Sequence, residues 1–181
     1  MCKPQETLPK PTYSNMKAIS FLVILFSFTV QLYGQSPVKT HQVGDVKLHW
    51  QFDGDQLFVT LFSPTKGWLG IGFNDKNVQE GTNMYKAHVK RNSVRVADHF
   101  QQADQSYKLV GEIGGQSHVS NVQGMEGSRG TTVMFSIATS PKDELHYLLQ
   151  NNKEIFVTFA YSKKDDFNSK AIFTETIPFR L

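Results

Sequence analysis

Gly67-Trp68-Leu69-Gly70-Ile71-Gly72-Phe73 alternates glycine with large apolar side chains. A period of two is the mark of a strand. Here one face carries bulk and the other is bare backbone, over which another surface can approach closely. The run passes into a polar loop, Asn74-Asp75-Lys76-Asn77 through Glu80-Gly81-Thr82-Asn83, and Met84 opens the next strand.

The same period continues on both sides. Val46, Leu48 and Trp50 alternate with Lys47, His49 and Gln51, and Asp53-Gly54-Asp55 then turns the chain into Leu57 to Phe62. Asp-Gly tolerates the positive φ of a tight hairpin turn, so this pair of runs reads as a hairpin. Further strands are expected at Gly67–Phe73, Met84–Lys90, Ser93–Phe100, His118–Val122, Thr131–Ala138, Ile155–Tyr161 and Ala171–Phe179, with a second tight turn at Arg91-Asn92. Only Pro141 to Leu149 has helical spacing, which predicts one short helix or turn there. Many short strands separated by turn residues predict an all-β, antiparallel, immunoglobulin-like β-sandwich of one domain. The alternating positions of Leu57–Leu61, Thr131–Ile137 and Ile155–Phe159 supply its core, and Met134, between Val133 and Phe135, reads as sandwich packing.

The N-terminal segment has another character. Met16-Lys17 leads into the apolar run Phe21 to Val30 and then into Tyr33-Gly34-Gln35. A basic residue, an apolar core and a small residue at the end are the three parts of a secretory signal peptide, and the run is too short and too interrupted for a spanning helix. Residues 1–34 are therefore read as a leader, with Met16 as the start and cleavage at Gly34/Gln35, and 35–181 as the exported domain, secreted or periplasmic. Removing 1–34 takes three of the 19 basic and one of the 16 acidic residues, so the net charge of the domain falls to about +1. That balance gives no reason to expect nucleic acid as a partner, and no membrane contact is expected after cleavage. Cys2 is the single cysteine, so the exported domain has no disulfide, thiolate metal site or cysteine nucleophile.

Catalytic signatures are absent: there is no Gly-x-Ser-x-Gly elbow, no His-Glu-x-x-His and no phosphate-cradling glycine loop. His49 and His88 alternate with apolar neighbours and are expected to face solvent. His41, His99, His118 and His146 lack metal-ligand spacing. Asp165 and Asp166 beside Lys163 and Lys164 read as a solvated loop.

The order of Gly67 to Phe73, polar loop and Met84 resembles the start of a DOMON domain. The resemblance extends from about Val46 to Phe179 through Val94-Arg95-Val96-Ala97-Asp98, Thr131 to Ile137 and Ile155 to Tyr161. It implies a β-sandwich of exported proteins that binds b-type haem or sugars. In haem-binding members a methionine after the Gly-Trp strand and a histidine near the C-terminal strand hold the iron from opposite sides. Met84 matches the methionine. The family's Asp-x-Phe-x-x-His reads here as Asp165-Asp166-Phe167-Asn168-Ser169-Lys170, with lysine in place of histidine. A lysine amine binds metal only after losing the proton it ordinarily holds up to a pKa near 10.4. His88 shares a face with Met84 but lies roughly 13 Å along the strand, too far to be its partner across one iron.

The resemblance thus implies a haem b electron carrier that is not itself an enzyme. Met84 and Lys170 would be the axial ligands, Trp68, Leu69, Ile71 and Phe73 the apolar walls, and a redox protein the partner. Met84 has an equal alternative as a core methionine filling a gap. The competing reading of the whole is a haem-free module for a sugar or small ligand, with Trp68, Tyr85 and Tyr107 as stacking platforms, or a domain that mediates contacts between exported proteins. Asp75 and Glu80 are the candidates for a structural calcium or sodium ion.

Overall fold

A computed structural model describes residues 36–91 and 93–181, and period two governs it throughout. Among the described residues eleven strands form: β1 Lys39–Val43, β2 Val46–Asp53, β3 Gln56–Ser63, β4 Leu69–Asn74, β5 Asn83–Lys90, β6 Ser93–Gln101, β7 Tyr107–Leu109, β8 Val119–Gly127, β9 Gly130–Ala138, β10 Glu154–Tyr161 and β11 Phe173–Arg180. One antiparallel sheet has the order β1-β2-β3-β9-β8 and the other β11-β10-β4-β5-β6-β7. This is the two-sheet sandwich that the alternation predicts. β1 and β7 are additions to the expected set. The leader, Met16, Cys2 and the Gly34/Gln35 junction lie outside the described residues.

The turns behave as their chemistry requires. Asp53 faces Gln56 across the β2–β3 hairpin, and Gly54 between them has φ 57. Lys90 faces Ser93 across the β5–β6 turn with Arg91 at φ 50; Asn92 lies outside the described residues. The segment 141–149 is a turn and not a helix. The Asp143 carboxylate accepts from the Leu145 N–H at 3.0 Å and meets the His146 ring at 2.5 Å. A side chain that captures local donors in this way competes with helical hydrogen bonds.

Between the sheets lies one apolar layer. Leu57, Val59 and Leu61 of β3, Val133, Phe135 and Ile137 of β9, and Ile155, Val157 and Phe159 of β10 are all buried in it, as the alternation predicts. Burying each such side chain contributes about 1.5–3 kcal/mol. Met134 corrects one expectation: parity sends it to the solvent face of its sheet, where it is 41% exposed. At the edge of the six-stranded sheet, β11 carries Pro178 opposite Phe156 of β10. Among the described residues no helix is long and apolar enough to cross a membrane.

Candidate functional site

The outer face of the six-stranded sheet is built around two glycines. In register, Gly72 of β4 stands beside Met84 of β5 and Thr158 of β10, and Gly70 stands beside Lys86 and Ala160. A Cβ on Gly72 would lie 2.6 Å from Thr82 Cγ2 and 3.1 Å from Met84 Cε, and one on Gly70 would lie 3.2 Å from Met84 Sδ. Since such distances are below ordinary contact, the glycines create the space that Met84 fills. Met84 is only 1% exposed, and with Trp68 and Ala160 it forms a small apolar cluster separate from the sandwich core.

The chain between β10 and β11 covers this face. Its first turn presses on Gly67, where a Cβ would come within 2.4 Å of the Ser162 carbonyl and the Lys164 amide. Trp68 N–H donates to the Lys164 carbonyl at 2.9 Å, and its indole N–H donates to the Ser169 carbonyl at 3.1 Å and to Ser169 Oγ at 3.0 Å. Beneath the cover lies an open cavity of about 600 Å³, whose lining includes Trp68, Met84, Lys86, Gln101, Tyr107, Phe167 and Lys170. Sheet and loop thus bring Met84 and Lys170 to one cavity, Met84 at its buried floor and Lys170 exposed on the covering loop.

Other expected site residues lie elsewhere. Leu69, Ile71 and Phe73 have the opposite parity to Gly70 and Gly72 and belong to the inter-sheet core, so they are not walls of the cavity. Tyr85 is likewise a core residue, against Phe73 and Phe135. Of the three stacking platforms, only Trp68 and Tyr107 reach the cavity. His49 is exposed as expected, but His88 is half-buried, with its ring 4.9 Å from that of Phe167. The Asn74–Asn83 loop is closed by an amide: Asn74 Nδ2 donates to the carbonyls of Val78 and Glu80, both at 2.9 Å. Asp75 and Glu80 remain exposed.

The residue that sequence reasoning missed is Lys86. Parity alone places it on the face of Met84, and that signal was available. Its side chain is buried, Nζ lies 4.1 Å from the Tyr107 ring centroid and 4.9 Å from that of Trp68, and it donates to the Phe167 carbonyl at 3.0 Å. Burial draws its pKa down from 10.5 to about 8, against the opposing pull of Asp166. Burial also pushes the Tyr107 phenol up to about 12. His99, which pairs with Met84 across β5 and β6, is held below the usual histidine range by burial first and by the Lys86 charge next. The chamber therefore holds a cation between two aromatic faces.

Comparison with known proteins agrees with this architecture. A family model described as DOMON domain matches residues 42–162. Among solved structures, the chain is similar to the cytochrome domain of Myriococcum thermophilum cellobiose dehydrogenase, with TM-score 0.56 at 10% identity over 80% of this chain and 81% of that one. It is also similar to the cytochrome b domain of pyranose dehydrogenase from Coprinopsis cinerea, with TM-score 0.59 at 12% identity over 79% and 80%. At such identities the likeness shows the fold. A comparison with curated proteins finds no match for the chain.

Proposed function

The chain belongs to the DOMON domain family, and from that premise we propose that it is an exported domain that binds b-type haem in the outer cavity and carries electrons without being an enzyme itself. One observation carries the reading: a buried thioether on the sheet and an amine on the covering loop, Met84 and Lys170, line the same cavity. The donor chemistry fits haem. Thioethers and neutral amines are iron ligands, Trp68, Tyr107 and Phe167 supply apolar faces, and the Lys86 cation suits the acidic substituents of the macrocycle. Bound haem would supply one-electron redox chemistry. This chain's own part is to hold Met84 in place through Gly70 and Gly72, to pin the loop through Trp68, and to set local charge through Lys86.

The test is haem titration of the full chain. A saturable Soret band at one haem per chain and a low-spin reduced spectrum are expected. Met84→Ala or Lys170→Ala should open one axial position and give a high-spin, ligand-accessible form. A low-spin spectrum unchanged by Lys170→Ala keeps haem and rejects that ligand.

A second reading, a haem-free module for a sugar or small ligand, has its own support. Gln101 Oε1 lines the cavity side of β6, buried and without a hydrogen-bond partner among the described residues. Such an acceptor suits a ligand hydroxyl, with Trp68 and Tyr107 as the stacking faces. Absence of a saturable Soret band would transfer the assignment to this reading.

A further inference from the structure

On the inner face of the sandwich, away from the outer cavity, three segments bring histidine and aspartate side chains to one point. Asp98 of β6 is anchored by Asn83, whose Nδ2 donates to Oδ1 at 2.7 Å. Its Oδ2 meets His146 Nε2 at 2.9 Å, and both side chains are 1% exposed. The other ring nitrogen, His146 Nδ1, faces Asp143 Oδ1 at 2.5 Å, while Asp143 Oδ2 lies 3.4 Å from His118 Nε2. His118 arrives because Gly115 lets its loop press against the 141–149 turn: a Cβ there would lie 2.6 Å from Leu145 Cδ1.

We propose that His118, Asp143 and His146 form a binding site for a divalent transition-metal cation of the zinc class, with Asp98 as the carboxylate that orients His146. The donor atoms, one from each residue, already lie within 4.8 Å of one another. Donors on one tetrahedral zinc stand about 3.4 Å apart, given metal–nitrogen distances of roughly 2.0–2.1 Å. A shift of an ångström or so on a partly exposed turn therefore closes the set. Two imidazoles and one carboxylate select zinc, copper or nickel over calcium or magnesium. Three protein ligands leave a fourth position for water, and His118 and Asp143, with side chains 26% and 27% exposed, open it to solvent.

Asp98 is what distinguishes this cluster from a chance grouping. By accepting the Nε2–H, it leaves Nδ1 as the nitrogen that faces the other two donors, the carboxylate–histidine–metal relation that fixes a ligand's tautomer. Charge also balances. Without metal, the His146 ring shares protons with two carboxylates. With metal, the Nδ1 proton leaves to solvent, and the cation takes its place between the His146 ring and Asp143.

The experiment is Zn²⁺ titration of the full chain, stripped of metal by chelator and kept free of haem, followed by calorimetry and repeated with Co²⁺ for its visible bands. One Zn²⁺ per chain is expected. His118→Ala, a change on a partly exposed loop, should weaken binding at least tenfold and abolish the Co²⁺ bands. Asp98→Asn should weaken it by roughly 10- to 100-fold without removing a direct ligand. No saturable uptake by the folded chain, or uptake that His118→Ala leaves equally tight, overturns the proposal. Neither result depends on whether haem binds.

Discussion

The two faces of the β4–β5 pair differ more than the two sheets do. Toward the other sheet these strands present Leu69, Ile71, Phe73, Tyr85 and Ala87, all in one close-packed layer. On the outside, the intervening positions are Gly70, Gly72, Met84 and Lys86, covered by a loop that leaves a cavity. Both faces are buried, but by different means: the first by side chains fitted to an opposing sheet, the second by a polar segment laid over small residues. A strand that is buried on both sides yet bare on one separates the packed core from the cavity, with adjacent residues given to each.

The largest effect that tests this division is Phe73→Ala, on the packed face. A loss of about 3–5 kcal/mol is expected from denaturant unfolding, with haem uptake retained where the protein stays folded. A cost below about 1 kcal/mol would break the comparison. Gly72→Ala comes next. Its Cβ collides with Thr82 and crowds Met84, so a cost of about 1–3 kcal/mol is expected, together with a shift of the Met84 methyl resonance.

Lys86 sharpens the contrast through pH. Its folded pKa of about 8 lies below the ordinary 10.5, so between these values the unfolded chain holds the proton that the folded chain has lost. Stability should therefore rise with pH across that window, and the penalty should be complete below about 8. Lys86→Met should flatten this rise relative to the parent chain when denaturant midpoints are compared at neutral and alkaline pH; parallel pH profiles would show that the cation is not held dry. The smallest effect is that of Lys170→Ala on the haem-free protein. An exposed loop residue should change stability by no more than about 0.5 kcal/mol, whatever it does to the haem spectrum.

Much of this was legible in the chain. Long alternating runs bounded by Asp-Gly and similar turns give both sheets and most of the core, because a one-residue slip would turn every side chain to the wrong face. β7 escaped because three residues are too few to show a period. Leu69, Ile71 and Phe73 enter as cavity walls only through the family resemblance, whereas their parity, opposite to that of Gly70 and Gly72, already turns them away from the bare face where the cavity lies. Lys86 could have been found by the same parity. The grouping of His118, Asp143 and His146 with Asp98 could not, since it joins three segments that only the packed sandwich brings together.

Pro178 has a consequence for how copies of this protein meet one another. The Leu181 N–H donates to the Lys153 carbonyl, so residues of odd number on β11 turn their amides inward and those of even number turn theirs outward. Pro178 falls in the outward set, where it removes one of the few donors that a strand from another molecule would need. At the far edge of the same sheet, β7 is only three residues long. The sheet that carries the cavity is thus protected at both borders against growth into a continuous fibre.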